Sequence, residues 1–149
     1  MAGATLRERA LRLLALREHS RSELARKLAA HASKDEVETL LERLIELDLL
    51  SDARFAQAYV RSHASRFGVK RMRHELARRG ISEPLVDEAL ASESGTDELE
   101  RAQAIWQRKY GTAPLDMKEW ARQARFLQGR GFSTDVIRKL LKDPHHEPA

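Results

Sequence analysis

Apolar residues return along this chain every three to four positions, in short runs punctuated by Ser, Thr, Asp, Gly and Pro, which is the spacing of helices that bury one face. No run carries a strand signal. The clearest stripe is Phe55, Ala56, Tyr59, Val60, His63, Ala64 and Phe67, with Arg54, Gln57, Arg61 and Ser65 on the other side. Phe55 and Tyr59 therefore read as core residues first and as surfaces for stacked nucleobases second. Read this way, the chain holds nine helices in three groups of three: roughly 4–18, 21–31 and 34–48; 52–66, 69–79 and 83–92; and 97–110, 116–129 and 134–142.

An internal period supports the grouping. The stretch LARRGISEPLVDEAL (76–90) matches LQGRGFSTDVIRKLL (127–141) at an offset of 51, aligning Leu76 with Leu127, Gly80 with Gly131, Ile81 with Phe132, Ser82 with Ser133 and Leu90 with Leu141. A fainter copy, 22–41, places Leu24 and Leu28 where Met72 and Leu76 stand, without the glycine. Gly80 and Gly131 each end a helix and precede an apolar residue, as a Schellman cap prefers. Ser82 and Ser133 are placed to cap the helices that follow, and Ser51 and Thr96 those that open the second and third groups. Ser20 with Glu23, and Ser33 with Glu36, have the spacing of capping boxes. The predicted fold is all-α, an elongated array of three tandem three-helix repeats over 1–50, 51–95 and 96–143. Bending is expected near 92–95 and 111–114, and a disordered tail at 144–149.

Composition narrows the chemistry. The 149 residues are 42% hydrophobic but only 5% aromatic and contain no cysteine, which removes disulfides, thiolate metal sites and a cysteine nucleophile. The N-terminus has no long apolar run, and nowhere do about 18 apolar residues follow one another, so a cytoplasmic protein is expected, neither secreted nor membrane-spanning. Net charge is +4, but it is distributed in blocks of alternating sign. Residues 61–80 hold seven basic side chains and one acid, whereas 81–100 hold seven acids and no base.

An ordinary solvated helix mixes its charges, because like charges at i,i+4 repel. The basic block forgoes that relief, so Arg61, Arg66, Lys70, Arg71, Arg73, Arg78 and Arg79 are candidates to meet phosphate or an acidic partner, the plain alternative being a solvated face. Arg54 lies on the same outer side as Arg61. Arg122, Arg125 and Arg130 repeat the signal less densely, in a run that also contains Arg108, Lys109 and Lys118. A helix-turn-helix that reads bases is disfavoured, because the second helix after Gly80 carries Glu83, Asp87 and Glu88 and no base. The acidic stretches 35–48 and 83–100 read as solvated outer helices or as docking surfaces for a basic partner. Carboxylate pairs such as Glu42 and Glu46 have no nucleophile pattern nearby, the six histidines have no metal-ligand spacing, and no glycine loop cradles phosphate. Trp106 and Trp120 read as core or edge residues. No catalytic residue, metal or cofactor is expected.

The run LLSDARFAQAYVRSHASR, followed by GVKRMRHELARRGIS and then RFLQGRGFSTDVIRKLL, resembles the RecX family of bacterial recombination regulators from about Leu16 to Lys142. The family commonly has an acidic pair where this chain has Ser51-Asp52, and often Gly-Pro where it has Gly68-Val69. The resemblance implies three tandem three-helix repeats and a non-enzymatic regulator, expected as a monomer, that binds the RecA recombinase filament on single-stranded DNA, lying in its groove. It implies inhibition of ATP hydrolysis, strand exchange and co-protease activity, in recombination, repair and the SOS response, with direct binding to single- or double-stranded DNA left open. The alternative is a general helical DNA-binding protein that competes for DNA.

Overall fold

The computed structural model describes residues 3–93 and 97–141. Among these the chain forms nine helices and no strand: α1 (Leu6–Leu16), α2 (Arg21–Leu28), α3 (Lys34–Glu46), α4 (Asp52–His63), α5 (Val69–Arg78), α6 (Glu83–Glu93), α7 (Glu98–Lys109), α8 (Met117–Gly129) and α9 (Thr134–Leu140). The three tandem three-helix repeats read from the period are therefore present. The expected tail and Thr96 lie outside the described residues, as do residues 94 and 95 of the expected bend at 92–95.

Local chemistry starts and stops these helices. Ser33 and Glu36 form the expected capping box on α3, and Thr5 with Glu8 forms another on α1. Ser20 accepts from the Glu23 amide at 3.1 Å, but the box there is only half made. Glu23 turns instead to Arg17, which reaches its two carboxylate oxygens at 3.0 and 2.7 Å. Ser51 accepts from the Arg54 amide, Ser133 from the Val136 amide, and Asp97 from the Leu99 amide. The Gly80 amide donates to the Ala77 carbonyl and the Ile81 amide to Leu76; Gly131 and Phe132 donate in the same way to Gln128 and Leu127. Both are Schellman motifs, at φ +83° and +94°. The turn after α3 has the same two bonds around Asp48, a non-glycine at φ 59°. Asp is among the few residues that tolerate this region.

The chain divides into two compact units, one of Met1–Tyr59 with Leu76–Ala89, the other of Val60–Glu75 with Leu90–Ala149. In the first, α1 to α3 enclose Ala10, Leu24, Leu28, Val37, Leu41, Leu44 and Leu50. Phe55 and Tyr59 are buried there too, as core residues. His19 is also buried, its Nδ1 3.0 Å from the Arg17 carbonyl and its Nε2 3.0 Å from Lys27 Nζ. A carbonyl only accepts and an ammonium only donates, so this imidazole is neutral, with Nδ1 protonated. In the second unit the core is Ala102, Ile105, Leu127, Phe132, Ile137 and Leu141, flanked by Trp106 and Trp120. Both tryptophans sit at the core's edge and satisfy their N–H groups, Trp106 on Gln123 Oε1 at 2.7 Å and Trp120 on the Leu141 carbonyl at 3.2 Å.

Candidate nucleic-acid interface

In the first unit, Gly80 seats its turn against α2 so closely that a Cβ there would lie 2.2 Å from Ser22 Oγ. The N-terminal amide of α2, at Arg21, donates to the Asp52 carboxylate from the first turn of α4, at 2.7 Å. Arg54 is held within the same unit. Its Nε reaches Glu18 at 2.9 Å, Nη1 reaches Asp48 Oδ1 at 2.8 Å, and Nη2 reaches the Asp48 carbonyl at 2.8 Å. Glu18 first, and then Asp48, raise the pKa of that guanidinium, opposed by partial burial. Arg21 pairs with Glu38. Arg79 is half-buried, 6.0 Å from the Phe55 ring centre and 5.5 Å from that of Tyr59, and Arg78 is exposed.

The second unit has the same kind of joint with different chemistry around it. Gly131 packs its turn against the start of α5, where a Cβ would lie 2.2 Å from Arg71 Cβ and 2.6 Å from its amide nitrogen. Gly68 meets the same turn from the other side, 2.5 Å from the Gly131 carbonyl oxygen by the same measure. The amides of Gly68 and Lys70 donate to the carbonyls of Arg130 and Gly131 at 2.8 and 3.2 Å, and the Val69 amide to Glu98 Oε1 at 3.2 Å. Three orphan donors at the start of α5 are thereby satisfied by residues of the third repeat.

This arrangement gathers arginines from two distant parts of the sequence. Arg71 lies 4.1 Å from the Phe67 ring centre and donates Nη1 to the Gly129 carbonyl. Arg66 and Arg130 stand over the same ring at 5.5 and 5.6 Å, and Arg130 also lies 5.3 Å from the Phe126 ring. Lys109 is 5.5 Å from Phe126, whose ring forms a T-shaped pair with that of Tyr110. Cation–π contacts hold a charge in place without neutralising it, because the ring offers a quadrupole and no proton acceptor of comparable strength.

The predicted residues thus separate. Arg66, Arg71 and Arg130 come together, and Arg108 and Lys109, left out of the predicted set, join them. Lys70 is exposed beside this group on α5, and Arg73 is half-buried on the same helix. Arg61 lines a cavity of about 780 Å³ with Ser65, Arg101 and Arg108. Arg122 lies 3.7 Å from Glu119, and Arg125 is exposed on α8. Arg54 is instead committed to carboxylates inside its own unit. Among the described residues no group of three or more His, Asp or Glu is placed to hold a metal, and no helix is long and apolar enough to cross a membrane.

Three family models match in tandem: the first three-helix domain of RecX over residues 7–44, the second over 51–90 and the third over 96–141. The chain is 48% identical over 144 residues to the regulatory protein RecX of Leptothrix cholodnii, covering 96% of this chain and 91% of that protein. It is 44% identical over 139 residues to that of Ralstonia nicotianae, covering 93% and 87%. Among solved structures, the crystal structure of RecX from Lactobacillus salivarius superposes with a TM-score of 0.75 over 91% of both chains at 24% identity, a likeness of fold.

Proposed function

The chain belongs to the RecX family of regulatory proteins, and we propose that it acts by binding the RecA recombinase filament on single-stranded DNA, where it inhibits ATP hydrolysis, strand exchange and co-protease activity. It is a cytoplasmic regulator of recombination and repair, not an enzyme, and works as a monomer. The observation that carries this reading is the group of arginines held on Phe67 and Phe126: positive charge kept in place by rings presents itself to an acidic nucleoprotein surface. The candidate contact residues are Arg61, Arg66, Lys70, Arg71, Arg73, Arg122, Arg125 and Arg130 in the second unit and, separately, Arg78 and Arg79 in the first. Arg54 contributes there through the fold.

The test is recombinase ATPase on single-stranded DNA. Purified protein should lower the rate in a saturable way without hydrolysing ATP itself; an unchanged rate at saturation rejects the reading. A second reading, competition for DNA alone, draws on the same cations. It predicts that inhibition weakens with salt as DNA affinity does, with a log–log slope of about −0.7 per phosphate neutralised on a single strand. Inhibition through the recombinase persists at salt concentrations where the protein's own DNA binding has gone.

A further inference from the structure

The end of α7, the turn after α8 and Arg66 border an open pocket of about 290 Å³ in the second unit, lined by Arg66, Ile105, Arg108, Lys109, Phe126 and Arg130. Four of these six residues are cations, and no carboxylate lines the space. None of the four has an ion-pair partner among the described residues. They are nonetheless positioned. Arg130 and Lys109 rest on the Phe126 ring, Arg66 rests on Phe67, and Arg108 donates Nη2 to the Ser65 carbonyl at 3.2 Å. Holding four like charges around one small space costs Coulomb energy, and an anion in that space removes the cost.

We propose that this cavity is an anion site for a backbone phosphate of a single nucleic-acid strand. The assignment rests on the reading above that the chain meets a nucleoprotein, and it specifies where the strand is held. Guanidinium forks match the paired oxygens of a phosphate, which accepts from several donors at once. Arg108 also lines the larger cavity of about 780 Å³, which adds Arg61 and Arg101 and one carboxylate, Glu100. A polyanion whose charge recurs along a chain suits two adjoining basic cavities better than a lone small anion does. Arg108 and Lys109 thereby enter the binding set, and the rings of Phe67 and Phe126 act as positioning residues.

Fluorescence anisotropy of a labelled oligothymidylate with the full chain tests this. Arg108→Gln with Lys109→Gln should raise Kd at least about tenfold and make the salt slope shallower by about 0.7 for each phosphate left without its cation. Arg66→Gln, on a different segment, should move both in the same direction. The control pair Arg138→Gln and Lys139→Gln removes equal charge from α9, outside the cavity, and should change Kd by less than about threefold. Equal weakening by the two pairs, or none by the cavity pair, overturns the site. An oligoglutamate peptide is the second probe, and tight binding of the peptide without binding of the oligonucleotide also overturns it. Recombinase ATPase, measured in parallel, separates the two claims. Wild-type oligonucleotide affinity in the cavity variant together with intact ATPase inhibition sinks the cavity alone. A wild-type protein that leaves ATPase untouched sinks the recombinase reading, and the oligonucleotide result then decides the cavity by itself.

Discussion

Around the Gly80 turn Arg17, Arg21 and Arg54 meet carboxylates while Arg79 lies over the rings of Phe55 and Tyr59, and around the Gly131 turn Arg66, Arg71 and Arg130 meet rings. Both turns are Schellman motifs seated on the second helix of the preceding repeat, and in both cases an acid from the next repeat's opening helix, Asp52 or Glu98, accepts from that helix's first amide. The backbone joint is therefore repeated while its electrostatics are not. In the first unit Arg17, Arg21 and Arg54 are matched by Glu23, Glu38, Glu18 and Asp48. In the second, Arg66, Arg71 and Arg130 share Phe67. One joint pairs Arg17, Arg21 and Arg54 with acids, and the other holds its arginines on an aromatic ring.

The largest expected effect breaks the resemblance between the joints. Gly131→Ala forces a left-handed residue to carry a Cβ against the Arg71 backbone, so it should lower stability by about 3 kcal/mol or more, read as a fall in the urea midpoint. Truncating Arg71 cannot relieve it, because the amide nitrogen at 2.6 Å remains. Gly80→Ala meets only the Ser22 side chain, and Ser22→Gly should recover part of the stability. Equal responses in the two joints would show that the Arg71 backbone yields.

Acidification comes next and should act on the first unit. Arg17, opposed by burial, holds the Glu23 carboxyl down at about 2. A carboxyl depressed in the folded state contributes stability above its unfolded pKa of about 4.5 and loses it as pH falls towards 2. That loss should reach about 2 kcal/mol, discounted from the full shift because Arg17 is half-exposed, and Glu23→Gln should flatten the profile. Burial likewise lowers the pKa of His19. Its stabilising part is complete above about 6.5 and begins to fall below that pH, which the urea midpoint of a His19→Gln variant would not show.

Charge reversal separates the two uses of arginine. Arg71→Glu with Arg130→Glu should weaken recombinase inhibition at least about tenfold while helicity is kept. Arg54→Glu should instead lower stability by about 1 kcal/mol, a figure reduced for solvent screening, with inhibition falling only as far as folding does. If Arg54→Glu abolishes inhibition in a fully folded protein, both joints face the partner. The smallest effect belongs to Val69→Pro. It removes the donor to Glu98 but fixes φ at a first helical position that favours proline, so the net change should stay within about 0.5 kcal/mol in the urea midpoint.

Most of the fold was legible because it is local: Ser33, Ser51, Ser133, Gly80 and Gly131 act on amides and carbonyls within one turn. The joints were not, because their donors and acceptors are 31 and 29 residues apart in Arg21–Asp52 and Val69–Glu98. A signal existed in the recurrence of Ala-Gln-Ala at 56–58 and 102–104, which aligns Asp52 with Glu98 at the first helical position of the two opening helices. The same alignment sets Arg54 against Glu100, showing that Arg54 has no counterpart in the third repeat and hinting at its private role. The basic block was visible as composition, but its order around Phe67 depends on Arg130, far along the chain. Asp48 offered no glycine to mark its left-handed turn.

The borrowed cap of α5 sets a direction for biosynthesis. The amides of Gly68, Val69 and Lys70 emerge from the ribosome long before the carbonyls of Arg130 and Gly131 that satisfy two of them. At about 5–20 residues per second they wait several seconds for their acceptors. α8 waits for nothing, since Asp116 accepts from the Glu119 amide at 2.8 Å within its own first turn. A nascent or prematurely terminated chain thus lacks the turn that brings Arg130 to Phe67, and the basic surface is assembled only when translation has reached the last repeat.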